Sequence, residues 1–204
     1  MDVLTAAAPS LVYLYLYLEM NRETLFLPIE FPLLSELVIY GHFNDFDDTK
    51  TGKMPTLVNL RKLRIFGYGD DKAIFALPTC APYLTHLRLD RRNAYASSFI
   101  STLKDVLQSS TYSPDQFDLK FPASLEKLLI HPGLVYRPMC GYGFMNLRRS
   151  QAALANLMES DKRIFLLDQD PEDDENTQLE GLEEWLDRID GKLAYWEEKN
   201  SAQN

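Results

Sequence analysis

Residues that could act as catalysts are few in this chain and lie far apart. The histidines are His42, His86 and His131, and none lies in an H-E-x-x-H sequence or in the Cys/His spacing of a zinc site. No G-x-S-x-G sequence occurs, and the Ser, His and Asp residues are too scattered to propose a triad. We therefore expect the histidines to lie on the surface or at strand edges, and the chain not to be an enzyme.

Two short sequences resemble ligand-binding loops only in part. NDFDDTKTGK (44–53) is as acidic as a calcium loop. Counted from Asp45, however, its sixth and twelfth positions hold Lys50 and Thr56 instead of glycine and glutamate. The sequence GYG occurs twice but never continues into the G-x-G-x-x-G of a phosphate-binding loop. We expect neither a metal nor a cofactor.

Residues suited to non-covalent recognition are arranged more regularly. In LVYLYLYLEM (11–20), Tyr13, Tyr15 and Tyr17 alternate with leucines. Side chains alternate between the two faces of a strand, so the tyrosines would share the face opposite the leucines. Tyrosine and arginine are enriched at the energetic centres of protein interfaces. The stretch predicts a strand with a buried leucine face and an aromatic outward face.

The same spacing of leucines recurs along the chain. The motif L-x-x-L-x-[LI] occurs in APSLVYLYL (8–16), FPLLSELVI (31–39), LVNLRKLRI (57–65), APYLTHLRL (81–89) and PASLEKLLI (122–130). The first leucines are spaced by 23, 26, 24 and 41 residues, and the first three spacings lie in the range of leucine-rich repeats. We predict an α/β leucine-rich repeat solenoid with parallel strands on its concave face and short helices and loops on its convex face. The alternative is a generic α/β fold.

The repeat predicts which side chains share the concave face. The candidate partner-binding residues are Tyr13, Tyr15, Tyr17, Tyr40, Lys62, Arg64, Phe66, Arg88 and Lys127. They predict an aromatic row at one end and a basic centre. The alternative is that aromatic residues simply favour strands and pack laterally. We expect charge reversal at Arg64 and Arg88 to weaken partner capture without unfolding the chain.

Four regions follow from the pattern. Residues 1–145 form the degenerate repeats, with helices predicted at 70–80 and 97–110, and 146–167 adds a terminal helix and strand. An acidic linker occupies 168–178. An amphipathic C-terminal helix, 179–198, carries Leu179, Leu182, Trp185, Leu186 and Ile189 on one side. It either caps the exposed end of the solenoid or docks elsewhere.

Charge and composition exclude several classes of partner. The net charge is −9, and residues 168–204 hold 13 acidic but only 3 basic side chains. This balance disfavours binding to nucleic acid or to an anionic membrane. The longest apolar run is too short to span a bilayer, and the N terminus does not resemble a signal peptide. We expect an intracellular protein, cytoplasmic or nuclear. In such a compartment, free thiols at Cys80 and Cys140 are favoured over a disulfide bond between them.

The AP-x-L-x-x-L-x-L and FP-x-L-x-x-L-x-I units resemble the leucine-rich repeats of fungal F-box-type proteins, as does WLDRIDGKLAYW (185–196) in the tail. The resemblance implies that the repeats hold a ubiquitination substrate. A Skp1-type adaptor would bind only through an F-box upstream, which this sequence does not show. The asparagine that usually follows the motif is also absent. The alternative is a stand-alone or truncated repeat scaffold without a ligase link, and the mass of the endogenous product distinguishes the two.

Overall fold

The computed structural model describes residues 2–18, 29–43, 56–69, 71–90, 94–108, 120–132 and 142–167, together with 182, 185–187 and 190. The strands in this part of the chain are β1 Tyr13–Tyr17, β2 Glu36–Phe43, β3 Lys62–Gly69, β4 His86–Asp90, β5 Lys127–His131 and β6 Ile164–Leu166. The helices are α1 Asp2–Ala7, followed by a 3-10 turn at Ala8–Ser10, α2 Asp71–Thr79, α3 Ser97–Gln108 and α4 Tyr142–Ser160.

The six strands form one parallel sheet in the order in which they occur in the chain, β1 to β6. The second motif leucine lies at the same level in every copy, as Leu14, Leu37, Leu63, Leu87 and Leu128. The five motif copies therefore stand side by side without a shift in register. The predicted α/β class, the helices at 70–80 and 97–110, and the strand after residue 163 are confirmed.

A tight turn precedes each strand and accounts for the positions of two of the motif prolines. The amide of Leu34 donates to the carbonyl of Phe31, and that of Leu84 donates to the carbonyl of Ala81. Pro32 and Pro82 occupy the second position of these turns, where the fixed backbone angle of proline is favourable. Since each turn ends at the first motif leucine, it sets the level at which that strand joins the sheet.

The core lies between the leucine face of the sheet and the helices. Leu37, Leu63 and Leu87 are completely buried there, as are Phe75 of α2 and Phe99 of α3, whose rings stack at 5.5 Å. The strands are apolar on this face because helices cover it, as expected for a parallel sheet. The opposite face carries the outward side chains.

Some expectations differ from the structure or fall outside it. α4 begins at Tyr142, four residues before the predicted start. The linker 168–178, Cys140, the acidic sequence 44–53 and most of 179–198 lie outside the described residues. Within the described ranges, none of the helices has both the length and the hydrophobicity of a transmembrane segment.

Candidate protein-binding face

The side of the sheet opposite the helices is called the outer face below. All nine candidate residues lie on it, at the predicted strand positions. Its members, strand by strand, are Tyr13, Tyr15 and Tyr17; Glu36, Val38 and Tyr40; Lys62, Arg64 and Phe66; His86, Arg88 and Asp90; Lys127, Leu129 and His131; and Phe165.

An aromatic row runs across the first three strands, as the sequence predicts. The ring centroids of Tyr17 and Tyr40 are 5.4 Å apart, and those of Tyr40 and Phe66 are 5.7 Å apart. Such contacts between neighbouring strands stabilise a sheet, so lateral packing accounts for part of the pattern. Tyr17 is nevertheless 46% exposed. The row therefore also presents aromatic surface at the β1 end.

A buried ion cluster lies at the centre of the outer face. The carboxylate of Asp90 accepts a hydrogen bond from Nε of Arg64 at 2.8 Å and another from Nε of Arg88 at 3.0 Å. Nδ1 of His131 lies 3.5 Å from the same carboxylate. The guanidinium of Arg64 also lies 4.0 Å from the ring centre of Phe66. One carboxylate thus joins β3, β4 and β5.

Arg64 consequently differs from its expected role. It is only 2% exposed, so it is a structural group of the outer face in this state, and a partner would not reach its guanidinium. Reversing its charge would bring a second carboxylate beside Asp90. In contrast to the sequence-based expectation, we therefore expect this change to destabilise the fold, because an uncompensated buried charge is strongly destabilising. Asp90, the outward aspartate in HLRLD (86–90), is the feature of the sequence that could have indicated this cluster.

The charges around Asp90 keep its carboxylate ionised. Burial alone would raise the pKa of Asp90. The positive charges of Arg64 and Arg88, the hydrogen bond from Arg64 and the proximity of His131 together outweigh burial, and the pKa falls below the ordinary value. The cluster is therefore held together by a permanently charged centre.

A second basic row borders this cluster. Lys62, His86 and Lys127 lie in register on β3, β4 and β5. Burial lowers the pKa of His86, and the positive charges of the two lysines lower it further. Nζ of Lys127 lies 5.8 Å from the ring centre of Phe165. The predicted basic centre of the face is thus present, with His86 favoured in its neutral form.

The middle row of the outer face contains a contact that the sequence interpretation missed. Trp185, from the C-terminal region, packs on Tyr15 with ring centroids 5.6 Å apart and the ring planes inclined by 54°. The hydroxyl of Tyr15 is buried and has no hydrogen-bond partner among the described residues. The amphipathicity of 179–198 predicted a helix that caps the end of the solenoid or docks elsewhere, but it did not predict this contact.

No other chemistry emerges from the part of the chain that the structure describes. It contains no group of three His, Cys, Asp or Glu side chains able to hold a metal ion. Comparison of the sequence and structure with protein-family models, with characterised proteins and with solved structures finds no match. The function must therefore be inferred from the outer face.

Proposed function

We propose that the chain is a leucine-rich repeat solenoid that binds a protein partner through its outer face and has no catalytic activity of its own. The observation that carries this proposal is the aromatic row beside the buried ion cluster. Aromatic and arginine side chains together are the common composition of interface centres. The rigid arrangement of Tyr17, Tyr40 and Phe66 reduces the entropy that such side chains lose on binding.

The specific role that we propose is substrate recognition in an F-box-type ubiquitin ligase receptor. The five in-register motif copies, with a turn before each strand, support the repeat assignment. The ligase role rests on the resemblance of the motif units and the tail. The second candidate is a stand-alone or truncated repeat scaffold with no ligase link, which the same outer face would serve equally well.

Co-purification with matched variants tests the proposal. The tagged full chain is compared with Tyr13→Ala/Tyr17→Ala, which removes two half-exposed rings from the outer face. The control is Tyr83→Ala, which removes a somewhat more exposed tyrosine from the turn before β4. We expect the double variant to lose a stoichiometric partner that the wild type and the control both retain. Identical partners for all three chains would contradict binding through this end of the face.

The ligase role needs a separate measurement. The endogenous product, with any upstream sequence that it carries, is tested for association with a Skp1-type adaptor. Association, together with a product heavier than 23.5 kDa, supports the receptor role. A product of that mass with a stable partner but no adaptor favours the stand-alone scaffold.

A further inference from the structure

The contact of Trp185 with Tyr15 shows that a helical segment of this chain reaches the outer face. Around Trp185, the backbone amide of Asp190 donates to the carbonyl of Leu186 at 3.0 Å, as in a helix. The two aromatic rings meet in a tilted arrangement at 5.6 Å, which is within the favourable range for aromatic pairs. The described part of the C-terminal region therefore contacts the face proposed to bind a partner.

Burial along the middle row extends well beyond that contact. Val38 on β2 is 1% exposed, Arg64 on β3 is 2% exposed and Leu129 on β5 is fully buried, although neither Val38 nor Leu129 belongs to the core between the sheet and the helices. From β1 to β5 there are four steps between strands, or about 19 Å at the usual spacing. A helix of the predicted length of 179–198 would measure about 30 Å. Such a helix is long enough to cross the whole row.

The C-terminal segment uses only part of its apolar stripe in this contact. Trp185 is partly buried, whereas its neighbours Leu182 and Leu186 are 38% and 49% exposed. The free energy of burying apolar surface grows with the area removed from water. Among the described residues of the segment, Trp185 is therefore the apolar side chain that anchors it to the face.

The C-terminal region and the outer face carry opposite charges, which favours this contact. Residues 168–204 hold 13 acidic and 3 basic side chains, a formal charge of −10. The outer face has a net formal charge of +2. Lys62 and Lys127 contribute two positive charges against Glu36, and Arg64 and Arg88 contribute two against Asp90, with which both are paired. Opposite charge favours association of this segment with this face and disfavours basic competitors.

We propose that the outer face binds an acidic amphipathic helix anchored by one tryptophan, that residues 179–198 supply this helix in the resting chain, and that a partner binds by displacing it with a helix of the same chemistry. This inference rests on the proposed function, because it names the class of partner for the same face. The linker 168–178 keeps the resident helix nearby. A covalent link of eleven residues gives an effective concentration on the order of millimolar, so a partner must compete against it.

A labelled peptide of residues 179–198 tests the proposal on the full-length chain. Binding to the wild type is compared with binding to Trp185→Ala, in which the resident helix has lost its anchor. We expect Trp185→Ala to bind the peptide about tenfold or more tightly than the wild type, since the intramolecular competitor is weakened. The control Leu186→Ala changes an exposed neighbour and should bind as the wild type does.

A second pair of variants locates the peptide on the face. In the Trp185→Ala chain, adding Tyr15→Ala should weaken peptide binding at least fivefold. Adding Tyr13→Ala, two residues away on the same strand and face, should change it much less. Equal peptide affinity for the wild type and Trp185→Ala, or equal effects of the two tyrosine changes, would overturn the proposal.

Cleavage of the folded chain tests the proposal without a substitution at Trp185, and it is needed if Trp185→Ala does not fold. A protease site placed within 168–178 of the otherwise unchanged chain is cut once the protein is folded. We expect the released tail to leave on dilution and the labelled peptide to take its place. If the tail stays bound through size-exclusion chromatography at high salt and the peptide does not exchange with it, the tail is a permanent part of the fold. That result would contradict the proposal.

The two proposals fail separately. Peptide binding depends only on the chain and its own tail, so its failure leaves partner capture through the exposed Tyr13 and Tyr17 intact. Partner capture that Tyr13→Ala/Tyr17→Ala leaves unchanged would, in turn, contradict the proposed function without showing whether Trp185 is displaceable.

Discussion

Arg64 on β3 and Asp90 on β4 form an ion pair of 2.8 Å between adjacent strands, with side chains only 3% and 6% exposed. They are diagonal neighbours in the parallel register, since Arg64 lies opposite Arg88 and Asp90 lies opposite Phe66. Asp90 thereby forms ion pairs with Arg64 and Arg88 at the same time. This sharing makes the centre of the outer face depend on one carboxylate.

Removal of that carboxylate should be costly. We expect Asp90→Ala to lower the free energy of unfolding by about 3 kcal/mol, because it leaves the buried guanidinium of Arg64 without its charge partner. Urea denaturation measures this change. The control is Asp161→Ala, which breaks a more exposed pair with Arg163 and should cost about 1 kcal/mol or less. Equal losses in the two variants would contradict the structural role of Asp90.

The stability of the fold should depend on the titration of His86. Its pKa is lower in the folded chain than the ordinary value of 6.5, so the unfolded chain binds more protons as the pH falls through this region. Stability contributed by neutral His86 is therefore present above pH 6.5 and is lost as the pH falls from there towards the folded pKa. We expect His86→Gln to flatten the dependence of the urea midpoint on pH between about 5 and 7.

The cause of this shift can be checked by removing a neighbour. Lys127→Gln should move the pKa of His86 upwards, back towards its ordinary value, because one of the two positive charges that lower it is gone. Titration of the His86 ring by nuclear magnetic resonance measures this directly. An unchanged pKa would assign the shift to burial and Lys62.

The aromatic row should contribute to stability through the contacts between its rings. In a double-mutant cycle, Tyr17→Ala and Tyr40→Ala should show a coupling of about 0.5–1.5 kcal/mol, as expected for an aromatic pair in contact. Tyr13, two positions from Tyr17 along β1, lies opposite Glu36 and not opposite Tyr40. A cycle of Tyr13→Ala with Tyr40→Ala should accordingly give a coupling near zero.

Gly41 should not tolerate a side chain. Its φ of +154° is rarely adopted by other residues, and an added Cβ would lie 2.8 Å from the carbonyl oxygen of Leu18. The amide of Leu18 donates to the carbonyl of Tyr40, so the two strand ends cannot separate without losing this bond. We expect Gly41→Ala to lower the free energy of unfolding by about 1–3 kcal/mol. A thermal melt superimposable on that of the wild type would refute this.

The repeat spacing by itself determined the main architectural features. Strand positions, the shared faces of Tyr17, Tyr40 and Phe66, and the helices at 70–80 and 97–110 all followed from local rules. Strand periodicity assigns a side chain to a face, a proline turn sets where a strand begins, and helical periodicity identifies the segments that return the chain. These rules act over a few residues, so the sequence displays them directly.

The tertiary structure alone decided which outward groups are accessible and what reaches them. Arg64 became a buried pair with Asp90 because parallel strands of adjacent repeats bring residues 26 positions apart into contact. Trp185 contacts Tyr15, although the two residues lie near opposite ends of the sequence. Periodicity gives the direction of a side chain but not its neighbours from distant segments. Burial, ionisation and occupancy of the outer face all depend on those neighbours.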